Sequence, residues 1–80
     1  MSKSLIASPL PGVFYRRPSA DKPPYKSEGD KIAIGDVIGL VEIMKSFHEV
    51  KSDFSGTLRK FLVKNEDAVS AGQAIAEVEL

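Results

Sequence analysis

The chain has 80 residues, 11 basic and 11 acidic side chains that cancel, one histidine and no cysteine. That length allows one small domain, residues 1–80, whose core is only just large enough to fold alone. The charge balance gives no reason to expect nucleic acid or a membrane as partner, and without cysteine there is no disulfide framework, thiolate metal site or catalytic thiol.

Taken in order, Leu5-Ile6-Ala7 is too short for a signal-peptide core or a bilayer span and reads as a first strand. Gly12 to Arg16 reads as the second. The segment from Arg16 to Tyr25 carries three prolines in seven positions, Pro18 to Pro24, which exclude regular sheet or helix and stiffen it into a defined protrusion. A short strand is expected near Lys31-Ile32, then Val37 to Ile43, Phe47 to Lys51, Thr57 to Lys64, a short one near Ala68-Val69, and Ala74 to Glu79. No run of eleven or more residues has a helical period free of glycine, so no α-helix is expected. On the last strand Ala76 and Val78 should face inward because Glu77 and Glu79 alternate with them.

The sequence also repeats itself. Asp30 to Ile38 aligns with Asp67 to Ile75 at an offset of 37 residues, and the match continues to Val41/Val78 and Glu42/Glu79. Upstream, Gly12-Val13-Phe14 aligns with Gly56-Thr57-Leu58 at an offset of 44, so the first half holds seven extra residues between Tyr15 and Gly29. Such symmetry predicts an all-β fold, a flattened antiparallel β-barrel or sandwich of two quasi-symmetric four-stranded sheets. Gly39 and Val41 should take the inward places equivalent to Ala76 and Val78, with Gly39 and Ala76 small where two layers approach. Asp30, Asp36 and Asp67, beside glycines, read as turn residues that hydrogen-bond locally.

The strands on either side of Met44-Lys45 are separated by almost nothing, the spacing of a tight hairpin with Lys45 at its tip. Such turns are ordinarily built from Asn, Asp or Gly, and turn chemistry gives no reason to expose a methionine. A tip lysine with its backbone held by sheet on both sides is what a modifying protein needs in order to find it reproducibly. Both chain termini should end at the opposite end of the barrel, so that a tether there leaves Lys45 facing away. His48 lacks companions at ligand spacing and is read as an outer-face residue, with no metal site. Glu42 reads as a solvated or turn-pairing carboxylate.

Glu42-Ile43-Met44-Lys45 resembles the Glu-Ala-Met-Lys attachment sequence of biotin carboxyl carrier domains, with Ile43 and Ser46 where that family usually has Ala and a second Met. The likeness extends from Ser8 to Glu79. Ser8-Pro9-Leu10-Pro11-Gly12-Val13-Phe14-Tyr15-Arg16 is similar to the Ser-Pro-Met-Val-Gly-Thr-Phe-Tyr-Arg opening of acetyl-CoA carboxylase carriers, and Gly35-Asp36 and Ser55-Gly56-Thr57 also match. The resemblance implies that Lys45 carries covalent biotin, that Met44 and Glu42 belong to the attachment motif, and that residues 16–25 form a thumb packing near the biotin through Arg17, Pro18 and Ser19. Family thumbs often have Thr where Arg17 stands, so a hydroxyl bond to biotin is not expected. The chain looks like the carrier domain alone, either a stand-alone subunit or an excised piece.

An exposed lysine is protonated near neutrality and is a poor nucleophile. The resemblance therefore implies a biotin protein ligase that supplies an activated acyl group, and a biotin carboxylase and a carboxyltransferase that load and unload the arm, with no catalytic group in this chain. It also implies a cytoplasmic or plastid setting. Two alternatives stay open from the residues: a lipoyl carrier domain of a 2-oxo acid dehydrogenase complex, against which Met44 and the Arg16 to Pro24 segment argue, and an unmodified interaction domain of the same fold. An enzyme acting alone fits worst, because no acid, base or nucleophile cluster is present.

Overall fold

Four turns of one design set the strand ends in the computed structural model, which describes residues 2–80. They are Ser27 to Asp30, Ala33 to Asp36, Lys64 to Asp67 and Ser70 to Gln73. In each, the fourth residue's N–H donates to the first residue's carbonyl at 3.0–3.1 Å. The first residue's N–H in turn donates to the fourth side chain, at 2.9 Å for Asp30, Asp36 and Gln73 and 2.8 Å for Asp67. The third position takes a positive φ, at Gly29, Gly35 and Gly72 and, at 72°, at Glu66. The aspartates expected to hold turns do so, and Gln73 takes the part in the fourth.

These turns divide the chain into β1 (Lys3–Ala7), β2 (Gly12–Tyr15), β3 (Lys31–Ile32), β4 (Val37–Ile43), β5 (Ser46–Lys51), β6 (Gly56–Phe61), β7 (Ala68–Val69) and β8 (Ala74–Glu79). There is no helix among the described residues. The strands form two antiparallel four-stranded sheets, β1-β8-β6-β3 and β5-β4-β2-β7. Each sheet maps onto the other by the sequence offsets, so the expected quasi-symmetric all-β sandwich is what the chain forms.

Five boundaries differ from the sequence reading, two of them by one residue at a strand start, where β5 begins at Ser46 and β6 at Gly56. β6 stops at Phe61, not Lys64, because Phe61 faces Ala76 in the last ladder pair and the chain must then bend into the Lys64 turn. β2 stops at Tyr15, because Arg16 spends its N–H on Asn65 Oδ1 at 2.8 Å and its carbonyl on Tyr25 N–H at 3.0 Å. β1 begins at Lys3, paired with Glu79.

The core gathers Ile6, Phe14, Val41, Val50, Leu58 and Val78 with Ala76, as the alternation requires. Ile38 and Ile75, each adjacent to an inward residue, are also fully buried. Strict alternation would put them outside. Both are the extra residue of a β-bulge: β4 pairs Val37 with Lys51 and Gly39 with Val50, and β8 pairs Ala74 with Ala7 and Ala76 with Ile6. A bulge turns the extra side chain out of the pleat's alternation. Gly39 is needed for a different reason than the expected approach of two layers: the crowding comes from β2, its neighbour in the same sheet, where an added Cβ would lie 2.5 Å from Phe14 Cε1 and 2.7 Å from the Tyr15 carbonyl oxygen.

Register also sets the ends of the sandwich. β1 and β8 run between a Lys3–Glu79 pair and an Ala7–Ala74 pair. From Ala7 the chain crosses to β2, whose Val13 stands beside Glu42, close to the β4–β5 hairpin. The hairpin therefore lies at the Ala7 end, away from Lys3 and Glu79, as the sequence symmetry predicted.

Candidate functional site

Ile43 pairs with Ser46, so Met44 and Lys45 alone make the turn. Their φ values are 47° and 67°, both in the left-handed region that a two-residue hairpin turn requires. For residues with a Cβ that conformation costs roughly 1–2 kcal/mol each. The sheet bears this cost, because β4 and β5 pair along their whole length with both ends of the turn pinned. Met44 is 94% exposed and takes no part in the core. Lys45 is exposed, and among the described residues no carboxylate lies within ion-pairing distance of it. His48 is likewise exposed, and the described residues hold no cluster of three potential metal ligands.

Beside the hairpin lies a cleft of about 250 Å³. The proline-rich segment supplies one wall, from Arg17, Pro18, Ser19 and Ala20. Glu42 and Phe47, which face each other across β4 and β5, supply a second, and Asn65 and Glu66 close it with Tyr15. Arg17, Pro18 and Ser19, singled out from the sequence, are thus brought to the same cleft as Glu42. Met44 and Lys45 stand outside it, at the adjoining tip.

The wall is held by its own bonds. Tyr25 N–H to Arg16 carbonyl closes its base at 3.0 Å, Lys22 N–H to Ser19 carbonyl makes an inner turn at 3.1 Å, and the Ser19 hydroxyl donates to Asp21 Oδ1 at 2.6 Å. That hydroxyl, followed by Asp21's backbone hydrogen bond, holds the Asp21 carboxyl below the usual carboxylate range. Arg16 lays its guanidinium over the Phe61 ring, 4.2 Å from the centroid, and anchors the segment to the barrel. The Nε atoms of Arg16 and Arg17 are buried without a hydrogen-bond partner.

Tyr15 was not singled out by sequence reasoning. Its hydroxyl donates to Glu42 Oε1 at 3.1 Å, and its ring lies 6.3 Å from that of Phe47. The bond to Glu42 pushes the phenol's pKa up, with smaller contributions from desolvation and from the charges of Glu42 and Glu66. Glu42 is half-buried and bonded to a neighbouring strand, more fixed than a solvated carboxylate. The repeat offered a signal for this: Tyr15 aligns with Arg59, and Glu66 with Gly29, so the two halves differ at this cleft.

Comparison with known proteins gives one family. A family described as "Biotin-requiring enzyme" matches residues 4–78. The chain is 36% identical over 75 residues to a biotin carboxyl carrier protein of acetyl-CoA carboxylase from Streptococcus pyogenes, covering 94% of this chain and 45% of that one. It is 38% identical over 65 residues to a chloroplastic counterpart from Arabidopsis thaliana, covering 81% of this chain and 23% of the relative. The chain thus spans less than half the length of these relatives. Among solved structures, the Kluyveromyces lactis urea carboxylase superposes with a TM-score of 0.79 at 29% identity, over 99% of this chain and 6% of that enzyme.

Proposed function

The chain belongs to the biotin-requiring enzyme family, and from that premise we propose that it is a biotin carboxyl carrier domain whose Lys45 is the attachment residue. The carrying observation is the tip itself: a methionine and a lysine, both exposed, in a conformation that turn chemistry would assign to Asn and Gly. Attachment forms an amide between Lys45 Nζ and the acyl carbon of an activated biotinyl adenylate; the bond from that carbon to the phosphate oxygen breaks, AMP leaves, and the amine proton passes to a base of the ligase. The domain contributes no catalytic group. Its part is to hold one amine at a fixed place, which raises the effective concentration of the bound group at a partner's active site to roughly millimolar or above.

The cleft fits the group that such an arm would carry. It sits beside the tip and has aromatic surface from Tyr15 and Phe47. Residues 16–25 act as the thumb over it, with Arg17, Pro18 and Ser19 facing the arm. Biotin, when attached, supplies a ureido nitrogen that takes up carboxylate. The partners are a biotin protein ligase, a biotin carboxylase and a carboxyltransferase. The thumb and the relatives favour acetyl-CoA carboxylase, hence malonyl-CoA formation and fatty acid synthesis, in a bacterial cytoplasm or a plastid. No helix among the described residues is long and apolar enough to cross a membrane.

Expression with biotin or with lipoate, followed by intact mass measurement, separates this reading from a lipoyl carrier. The reading requires the biotinyl increment alone. The biotinylated domain should then accept one labelled carboxylate from bicarbonate with ATP and a biotin carboxylase, whereas an unmodified interaction domain would take up neither.

A further inference from the structure

The pseudo-twofold symmetry supplies an internal control at Glu42. Its equivalent in the second half is Glu79, and the equivalent of Tyr15 is Arg59. Arg59 Nη1 binds Glu79 Oε2 at 2.9 Å, so at that end the carboxylate is held and its charge is balanced. At the hairpin end the same strand positions hold Glu42 by a neutral phenol at 3.1 Å. The grip is retained and the counter-charge is absent: among the described residues Glu42 makes no ion pair.

We propose that Tyr15 is the positioning residue of the attachment hairpin, fixing the Glu42 carboxylate three residues before Lys45 with its charge left open, so that the modifying protein meets an oriented anion and answers it with a cationic side chain. This rests on the reading of Lys45 as the biotinylated residue. The Phe47 ring packs on the other partner of the pair, so two contacts restrict Tyr15 itself. A mobile glutamate would have to be ordered on docking, and one paired with arginine would have to lose its partner; Glu42 needs neither.

The test is steady-state biotinylation by a purified biotin protein ligase with biotin and ATP, using the wild-type chain, Y15F, Y15R, E42Q and the Y15F/E42Q double variant. Y15F keeps the ring and removes the bond, and should raise the KM for the domain about 3- to 10-fold, the range of one ordinary hydrogen bond, because water can still solvate the freed carboxylate, with kcat nearly unchanged. Y15R rebuilds the Arg59–Glu79 pair at the hairpin end. It should raise KM at least as much and flatten the increase of KM with salt that the wild type shows. In the E42Q background Y15F should have little further effect, which a role in ring packing alone would not produce.

A Y15F value equal to wild type, or an effect of Y15F undiminished by E42Q, overturns the proposal while leaving the attachment reading intact. A wild-type chain that takes no label overturns both. If Y15R does not fold, as judged by thermal unfolding, the Y15F/E42Q cycle alone decides.

Discussion

Ser8 and Ser52 make the same hydrogen bond in the two halves of the chain: each buried hydroxyl donates to the carbonyl two residues on, Leu10 or Phe54, at 2.6 Å. Each also ties its strand to the turn of the other repeat, Ser8 N–H to the Gln73 carbonyl and Ser52 N–H to the Asp36 carbonyl. Replacing either by alanine leaves a carbonyl short of its partner, at a cost of about 1 kcal/mol. Ser52→Ala should cost more than Ser8→Ala, because the Ser52 hydroxyl also accepts from Phe54 N–H at 3.1 Å. Urea unfolding of the two variants measures the difference, and equal values would contradict it.

Gly39→Ala should lower stability by about 1–3 kcal/mol through overpacking against the Phe14 ring. Phe14 is fully buried, so its ring has little space into which to retreat. A second change, Phe14→Leu, should cost less in the Gly39→Ala background than in the wild type. Denaturant midpoints of the four-member cycle check this coupling.

Met44→Asn should stabilise the chain by about 1 kcal/mol, because Asn accepts the left-handed turn more cheaply than Met does. The same substitution should slow biotinylation, since the tip would lose the side chain that the attachment motif shares. Opposite movement of thermal midpoint and labelling rate is the expected signature. Movement in the same direction would show Met44 to be a structural residue.

Acid should weaken the turn at Asp36. The Ala33 N–H, with a smaller contribution from Lys26 at 3.4 Å, holds this carboxyl below the usual carboxylate range despite partial desolvation. A depressed folded-state value contributes stability above the unfolded value, near pH 4, and that contribution is lost as pH falls through the folded one. Thermal unfolding followed from about pH 6 downward should therefore fall off below about pH 4, with a shallower decline in Asp36→Asn.

The eight strands were legible because glycine–aspartate turns punctuate the sequence and the repeat marks equivalent positions twice. The hairpin tip was legible as well, since the expected strands left only Met44, Lys45 and Ser46 between them; the pairing of Ser46 with Ile43 then narrows the turn to two residues. Ile38 and Ile75 escaped the inward assignment because a bulge is a property of pairing between strands, which alternation along one strand does not encode. The truncation of β2 and the bond from Tyr15 to Glu42 depend on where distant turns land, Asn65 among them. The cleft's far wall, Asn65 and Glu66, lies about fifty residues from Arg17 in the chain, and only folding brings them together.

The central claim is that one exposed amine, that of Lys45, receives the cofactor. Incubating the purified chain with biotin, ATP and a biotin protein ligase, then mapping the label by tandem mass spectrometry beside the Lys45→Arg variant, tests it most directly. The account predicts a single biotinyl addition per wild-type chain, carried by the peptide containing Lys45, and none in the variant. Label on another lysine, or undiminished label in Lys45→Arg, would contradict it.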